Sequence, residues 1–234
     1  MSGPREIVVV EDVAGAAAER IAAAVRAGGH IALSGGSTPR AAHERVAAMG
    51  LDWSGVELWF GDDRAVGPEH EQSNYRMARE SLLDRIEGPD PLVHRIEGER
   101  GHDEAAAAYE SELREAFDGP PRIDLLLLGL GPDAHCASLF PRDAALGERE
   151  RWVVGVETPG MAPLLSRVTL TLPVLDAAKD VVFLISGEDK AEATARAFAD
   201  APDPDAPASL VRPDPGALTV LIDPAAASRL EAGP

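Results

Sequence analysis

The sequence has a single cysteine, few aromatic residues and no long apolar run. Cys136 cannot form a disulfide within the chain, and no window reaches the roughly 18 apolar residues that a membrane-spanning helix needs. The N-terminus, MSGPREIVVVED, lacks the basic, apolar and small-residue regions of a secretory signal. These absences favour a reducing, cytoplasmic location without membrane attachment.

Basic residues are also scarce. The chain has 22 lysines and arginines against 40 acidic residues, which gives a formal net charge of −18. No basic patch is visible, which argues against nucleic acid and against an anionic membrane as partners. Most of the surplus acids are expected to form a solvated surface. An anionic small molecule would therefore need a few cationic groups that converge locally against a repulsive field.

Several catalytic motifs are missing. The sequence has no HExxH or CxxC pattern, and its histidines show no metal-ligand spacing. It has no GxSxG nucleophile elbow, which argues against a serine esterase. The sequence therefore predicts no metal site.

What the sequence does contain is a regular alternation of strand-like and helix-like segments. The predicted strands are Arg5–Val10, His30–Leu33, Val56–Phe60, Leu92–Ile96, Ile123–Leu128, Trp152–Val156, Val168–Leu172, Val181–Ile185 and Ala217–Ile222. The predicted helices are Val13–Arg26, Pro39–Met49, Asn74–Arg85, Asp103–Phe117, Lys190–Phe198 and Pro224–Leu230. This alternation predicts an α/β fold, Rossmann-like, with a mostly parallel sheet and helices on both faces.

Two details refine that prediction. No helix is predicted between Trp152–Val156 and Val168–Leu172, so these strands are expected to form an antiparallel β excursion or edge. The stretch Asp200–Pro215 is dense in proline and aspartate and predicts an exposed loop rather than a domain boundary. Residues 1–234 are therefore interpreted as one domain.

The first polar loop is LSGGSTPR, which follows a predicted strand. Its glycines allow a tight bend and close approach of a ligand, while its hydroxyl groups add donors. Thr38 is expected to cap the next helix and Pro39 to occupy its first position. Free N–H groups at such a helix start bind phosphate, although the alternative is a plain strand-to-helix turn. The candidate phosphate-binding residues are Gly35, Gly36, Ser37 and Thr38.

The second polar loop is WFGDDRAV, which leads to QSNYRMARE. Asp62 could act as a base or orient a partner, and Arg64 could bind a phosphate or carboxylate through two parallel hydrogen bonds. Ser73 is a candidate cap for the following helix. The alternative, favoured when this loop is taken alone, is a surface turn whose charges pair with one another.

The third polar loop, in DLLLLGLGPDAHCASLFP, is the most informative. An apolar strand ends in a glycine loop that carries Asp133, His135 and Ser138. The Asp-x-His pattern makes His135 a candidate general base, because imidazole titrates near neutral pH; the alternative is a histidine that only satisfies local polar groups. GLGPDA also matches a relaxed dinucleotide fingerprint, but Pro132 and the mid-chain position argue against a nicotinamide site. Cys136 is interpreted as a small packed residue.

Together and in this order, the three loops resemble the 6-phosphogluconolactonase family, which shares a superfamily with glucosamine-6-phosphate deaminases. The matching strings are LSGGSTPR, FGDDRAV with QSNYRMA, GLGPDAHCASLFP, SRVTLTLPVLDAAK, ISGEDK and PASLVR. The family usually has DER and DGHTASLFP where this chain has DDR and DAHCASLFP. If the backbone has a positive φ at Ala134, that residue would be mildly strained. The deaminase branch has DEY and DGHIAFNEP, so Arg64 and the string ASLFP favour lactone hydrolysis.

The resemblance implies hydrolysis of 6-phospho-D-glucono-1,5-lactone to 6-phosphogluconate in the oxidative pentose phosphate pathway. In that reaction His135 would take a proton from water and return one to the ring oxygen. Asp133 would orient His135 or serve as a structural acid of the loop, while Asp62 and Arg64 would position the sugar and its developing charge. No metal or organic cofactor is expected, because an activated ester requires only a base and oriented dipoles.

The phosphate is expected at the first loop, with two further cations. Arg167 and Lys190 are carried over from the matching strings SRVTLTLP and GEDK. The chain is expected to act as a monomer on a sugar-phosphate lactone. Two alternatives are an amino-sugar-phosphate isomerase or deaminase with Asp62 as the proton-abstracting base, and a sugar-phosphate sensor without turnover.

Overall fold

The structure, a computed structural model, describes residues 5–230. In that range the strands are β1 (Arg5–Val9), β2 (Gly29–Leu33), β3 (Val56–Phe60), β4 (Asp62–Arg64), β5 (Leu92–Val93), β6 (Leu125–Leu128), β7 (Val153–Val156), β8 (Arg167–Leu170), β9 (Asp180–Ile185) and β10 (Ala217–Ile222). The helices are α1 (Val13–Ala27), α2 (Ser37–Ala47), α3 (Asn74–Ser81), α4 (His102–Ala116), α5 (Leu172–Ala177) and α6 (Ala191–Ala197). Among these residues, no helix combines the length and the apolar character needed to cross a bilayer.

The main sheet has parallel strands in the order β1-β10-β9-β6-β2-β3-β5. The chain runs toward β5 through α1, α2 and α3, and it returns through α4 and α6. Right-handed crossovers therefore place these two groups of helices on opposite faces of the sheet. The predicted fold class, a mostly parallel sheet with helices on both faces, is confirmed.

The centre of this sheet determines where a ligand can bind. Every residue of β6 is buried, as predicted for a strand covered on both faces. β6 lies beside β2, at the point where the order of strands along the chain reverses. Loops that leave the carboxyl ends of strands at such a point diverge and open a crevice.

A second, smaller sheet forms beside that crevice. β8 pairs antiparallel with both β4 and β7, which confirms the predicted antiparallel excursion. β4 was not predicted, because three polar residues carry no strand pattern. In the β4–β8 ladder, Asp62 lies opposite Thr169 and Arg64 lies opposite Arg167.

The start of α2 differs from the prediction. Gly36, with φ 117°, is the N-cap, and Ser37 is already helical. Thr38 therefore lies inside the first turn and is not the cap. Glycine tolerates this backbone conformation, and Pro39 remains acceptable because first-turn N–H groups have no partner within the helix.

Three other boundaries are corrected. The segment Pro224–Leu230 forms successive turns rather than a helix, because the backbone hydrogen bonds from Ser228 to Ala225 and from Leu230 to Ala227 span three residues, the spacing of a turn rather than of an α-helix. The predicted strand Leu92–Ile96 is paired only at Leu92 and Val93. β8 ends at Leu170, and α5 then begins with a proline in its first turn, where proline suits a helix start.

Candidate active site

A cavity of about 250 Å³ opens at the carboxyl ends of β9, β6, β2 and β3. The predicted site residues that line it are Gly35, Asp62, Arg64, His135, Arg167 and Lys190. The predicted residues outside its lining are Gly36, Ser37, Thr38 and Asp133. Five separate segments of the chain therefore converge where the strand order predicts a ligand site.

His135 and Asp133 form a hydrogen-bonded pair. Nδ1 of His135 lies 2.5 Å from Oδ1 of Asp133. Because an ionised carboxylate can only accept, Nδ1 carries the hydrogen and Nε2 keeps its lone pair. Burial acts to raise the pKa of Asp133, but the hydrogen bond and the charge interaction with His135 lower it below its ordinary value overall. The pair leaves His135 with one free basic nitrogen, as a general base requires.

The backbone around His135 is closely packed. A Cβ atom on Gly131 would lie 2.0 Å from Nδ1 of His135, so only glycine leaves room for the ring. Gly131 donates its N–H to the carbonyl of His135 at 2.9 Å, and Ala134 donates to the carbonyl of Gly131 at 2.9 Å. Ala134 has φ 66°, so the condition for mild strain is met: an alanine adopts a backbone conformation that favours glycine.

Asp62 is buried and held on both carboxylate oxygens. Ser138 donates its hydroxyl to Oδ2 at 2.6 Å, and the side-chain amide of Asn74 donates to Oδ1 at 3.3 Å. The same amide donates to the backbone carbonyl of Asp62 at 2.9 Å. A Cβ atom on Gly35 would lie 2.1 Å from Oδ1 of Asn74. The glycine of the first loop therefore makes room for the amide that holds Asp62.

Asp63 is buried too, but it does not line the cavity. Its carboxylate accepts the N–H groups of Asn74 at 2.7 Å and Tyr75 at 3.0 Å, and the hydroxyl of Ser73 at 3.1 Å. Burial raises the pKa of Asp63 to about 6, although these backbone N–H groups favour its charged form. Ser73 caps α3 through the N–H of Arg76, as predicted. The interpretation of this loop as a surface turn of paired charges is wrong.

Two cations of the cavity, Arg64 and Arg167, form no ion pair among residues 5–230, whereas Lys190 lies 3.6 Å from a carboxylate oxygen of Asp189. Arg64 donates to the carbonyl of Gln72, and its Nε is buried without a partner among the described residues. Arg167 donates to the carbonyls of Leu165 and Pro163, each at 3.0 Å. Burial, followed by the nearby charge of Arg64, lowers the pKa of Arg167. Adjacent cations that bind neutral carbonyls favour an incoming anion.

Two other candidates take different places. The residues at the start of α2, Gly36 and Ser37, are exposed beside the cavity. Cys136 is buried, and burial raises the pKa of its thiol, in agreement with its interpretation as a packed residue. Within residues 5–230, no group of three or more histidine, cysteine or acidic side chains is arranged to hold a metal ion.

The partners of Asp62 are not evident from the sequence. Ser138 is predicted only as a member of its loop, and Asn74 only as the start of a helix. They lie 76 and 12 residues from Asp62 along the chain, and no local pattern indicates such contacts. The one available signal was the position of Asn74 directly after the cap residue Ser73. A side chain at the first position of a helix can face the loop toward which the start of that helix points.

Comparison with known proteins identifies relatives of this chain. Residues 4–220 match the family model described as glucosamine-6-phosphate isomerases/6-phosphogluconolactonase. A 6-phosphogluconolactonase from Nostoc sp. is 39% identical over 206 residues, covering 86% of this chain and 84% of that protein. A 6-phosphogluconolactonase from Streptomyces coelicolor is 38% identical and covers 98% of this chain and 96% of its own length.

A solved structure gives the same result for the fold. The 6-phosphogluconolactonase of Trypanosoma brucei superposes with a TM-score of 0.86 at 28% sequence identity. The match covers 98% of this chain and 100% of that one. The likeness therefore extends over nearly the whole chain.

Proposed function

Because the chain belongs to the family of glucosamine-6-phosphate isomerases and 6-phosphogluconolactonases, we propose that its cavity carries out lactone hydrolysis with His135 as the base. The chain is a hydrolase of the 6-phosphogluconolactonase type, and its reaction converts 6-phospho-D-glucono-1,5-lactone to 6-phosphogluconate. This reaction belongs to the pentose phosphate pathway. The observation that carries the proposed mechanism is the pair of His135 and Asp133 beside a cavity lined with cations.

In the first step, Nε2 of His135 takes a proton from a water molecule while the water oxygen attacks the lactone carbonyl. The proton makes His135 an imidazolium, which the ionised Asp133 stabilises through Nδ1. The carbonyl oxygen becomes an oxyanion, and the charge of Arg64 stabilises it. When the carbonyl re-forms, the bond to the ring oxygen breaks and that oxygen receives the proton from His135. The ring opens and His135 returns to its neutral state.

The phosphate is assigned to Arg167 and Lys190, near the start of α2. Both cations line the cavity, and the hydrogen bonds of Arg167 leave its charge unbalanced. Gly35 lines the cavity and directly precedes Gly36, the N-cap residue of α2. The residues Gly36, Ser37 and Thr38 carry first-turn groups that favour an anion. This arrangement supports a dianionic group at that end of the cavity.

Asp62 is assigned to a substrate hydroxyl rather than to proton abstraction from carbon. Both of its oxygens already accept hydrogen bonds, which supports a fixed acceptor. We also propose that the chain works as a single-domain monomer in the cytoplasm. Sedimentation at assay concentration tests the monomer.

The deciding experiment uses freshly generated phosphorylated lactone and subtracts spontaneous hydrolysis. The expected result is rapid catalysed formation of 6-phosphogluconate, together with no ammonia release from glucosamine 6-phosphate. Ammonia release without lactone turnover would assign the other activity of the family. Binding of 6-phosphogluconate without either turnover would assign a sensor.

A further inference from the structure

Asp62 is joined to the loop of His135 by a single buried hydroxyl. Ser138 is fully buried, and its hydroxyl donates to Asp62 at 2.6 Å. The backbone N–H of Ser138 donates to the hydroxyl of Thr169 at 3.2 Å. Thr169 in turn lies opposite Asp62 in the β4–β8 ladder. These contacts form a closed ring through three residues, which leaves Ser138 little freedom to move.

The loop places Ser138 and His135 on one short segment. Ala137, which precedes Ser138, has φ 47° and lines the cavity. Leu139 donates to the carbonyl of Cys136 at 3.0 Å and closes a turn around Ser138. The position of this turn therefore fixes the carboxylate of Asp62 and the ring of His135 relative to one another.

The second support of Asp62 is weaker. The amide of Asn74 lies 3.3 Å from Oδ1 of Asp62, which is long for a hydrogen bond to a charged acceptor. The contact from Ser138 is in the range of a strong charge-assisted bond. Loss of the hydroxyl would leave the carboxylate free to rotate about its terminal torsion, which is broad for aspartate.

We propose that Ser138 is a positioning residue for hydrolysis: its hydroxyl holds the carboxylate of Asp62 as the acceptor for a substrate hydroxyl, at a fixed place relative to His135. This inference rests on the proposed lactone hydrolysis. Ser138 itself acts only through Asp62. A misplaced acceptor shifts the lactone carbonyl with respect to the attacking water, and small errors of this kind reduce turnover strongly.

The test is a double-mutant cycle with Ser138→Ala and Asp62→Asn. Ser138→Ala should lower kcat/KM by about 10- to 100-fold, the usual worth of a hydrogen bond to a charged group. Most of the loss should appear in kcat, with KM changed by less than about threefold, because the phosphate contacts remain. In the Asp62→Asn background, Ser138→Ala should cost almost nothing further.

Ser81→Ala is the matched control. Ser81 is equally buried, and its hydroxyl donates to the carbonyl of Met77 outside the cavity. This variant should lose some stability and keep wild-type turnover. If Ser138→Ala does not fold, Thr169→Val tests the same ring of contacts, since it removes the acceptor of the Ser138 N–H together with the hydroxyl's own hydrogen bond to the carbonyl of Leu170 at 3.0 Å.

Each result decides the inference. Wild-type turnover in Ser138→Ala, a loss confined to KM, or a loss that multiplies with Asp62→Asn would each overturn it. For Thr169→Val, a loss that multiplies with Asp62→Asn would do the same. These outcomes leave the proposed function standing as long as the wild-type chain hydrolyses the lactone, whereas an inactive wild-type chain would remove both.

Discussion

Asp62 and Asp63 are neighbours in β4, and both are buried, yet they serve opposite sides of the strand. Asp62 lines the cavity and receives side-chain donors from Ser138 and Asn74. Asp63 turns away and receives the backbone N–H groups at the start of α3. Alternation along a strand sends the two carboxylates to opposite faces.

The comparison shows that burial alone does not identify a catalytic acid. Asp63 is the more buried of the two, but backbone and hydroxyl donors occupy both of its oxygens. It stabilises the start of a helix, and the helix start supplies Asn74 to Asp62. The cavity side of β4 should therefore control turnover, whereas the helix side should control stability.

The largest expected effect concerns His135, the proposed general base in the cavity. His135→Ala should lower turnover by roughly 10²–10⁴-fold, the range for loss of general acid–base catalysis. Binding of 6-phosphogluconate should survive, because the cations remain. Steady-state kinetics and calorimetry measure the two quantities. His43→Ala, which removes a fully buried histidine outside the cavity, is the control, and near-normal turnover in a folded His135→Ala protein would contradict the assignment.

The next effect tests two cations that line the cavity, Arg167 and Lys190. Arg167→Ala or Lys190→Ala should weaken binding of phosphorylated lactone by about 1.5–3 kcal/mol, the worth of a charge-assisted hydrogen bond. Plain gluconolactone should be affected much less, since it lacks the phosphate. Competitive inhibition constants for the two ligands measure the difference. Lys179→Ala, an exposed lysine paired with Asp124, should change neither, and equal losses on both ligands would show that these cations do not bind the phosphate.

A smaller effect tests the helix side. Asp63→Ala should lower the free energy of unfolding by about 1–3 kcal/mol, because the N–H groups of Asn74 and Tyr75 lose their buried acceptor. Urea denaturation measures this change. Ser73→Ala, which removes the side-chain cap of α3, should cost about 1 kcal/mol. Unchanged stability with abolished turnover would reverse the roles assigned to the two acids.

The smallest effect concerns the pH dependence of stability and His43, whose ring contacts Ser81 at the end of α3. Ser81 donates its hydroxyl to Met77, so Nδ1 of His43 must donate to Ser81. Nε2 of His43 is then buried without a partner among residues 5–230. Burial lowers the pKa of His43 from 6.5 to about 4. Between these values the unfolded chain binds the proton more tightly, so this contribution to stability is lost as the pH falls.

When the pH falls from 7 to 5, the free energy of unfolding of His43→Leu should therefore decrease by roughly 1–2 kcal/mol less than that of the wild type. Asp63 acts in the opposite sense, because its contribution is lost as the pH rises through its raised pKa of about 6. Urea denaturation of wild type and variant at both pH values isolates the term from His43. A difference between the two proteins that does not vary with pH would exclude a buried neutral His43.

Local patterns predicted most of the fold. Val56–Phe60 and Ala217–Ile222 have the predicted bounds, because apolar runs between turn residues specify buried strands. The predicted helix Pro224–Leu230 is wrong although Asp223 and Pro224 suit a helix start. The segment is short, and its later backbone hydrogen bonds, from Ser228 to Ala225 and from Leu230 to Ala227, span only three residues, so it remains a series of turns. Thr38 failed as a cap because Gly36 can adopt a backbone conformation that begins the helix earlier.

The charged residues of the candidate site could be predicted from the sequence, but the residues that hold them in place could not. His135, Asp62 and Arg64 carry chemistry that a sequence displays directly. The bond from Ser138 to Asp62 spans 76 residues and follows from the folding of two sheets against one another. Gly131 could be recognised as a turn residue, but its need to accommodate the ring of His135 appears only in three dimensions.

The pairing of β1 with β10 has a consequence for how the chain is made. β1 is an edge strand whose neighbour in the sheet is β10. During synthesis β1 emerges early, whereas residues through Ile222 must be translated before its partner is complete. Contacts so distant in sequence form slowly, and an unpaired strand edge invites association with other chains. A circularly permuted chain that places β10 before β1 should therefore refold faster and aggregate less, while its cavity, at the carboxyl ends of β9, β6, β2 and β3, stays unchanged.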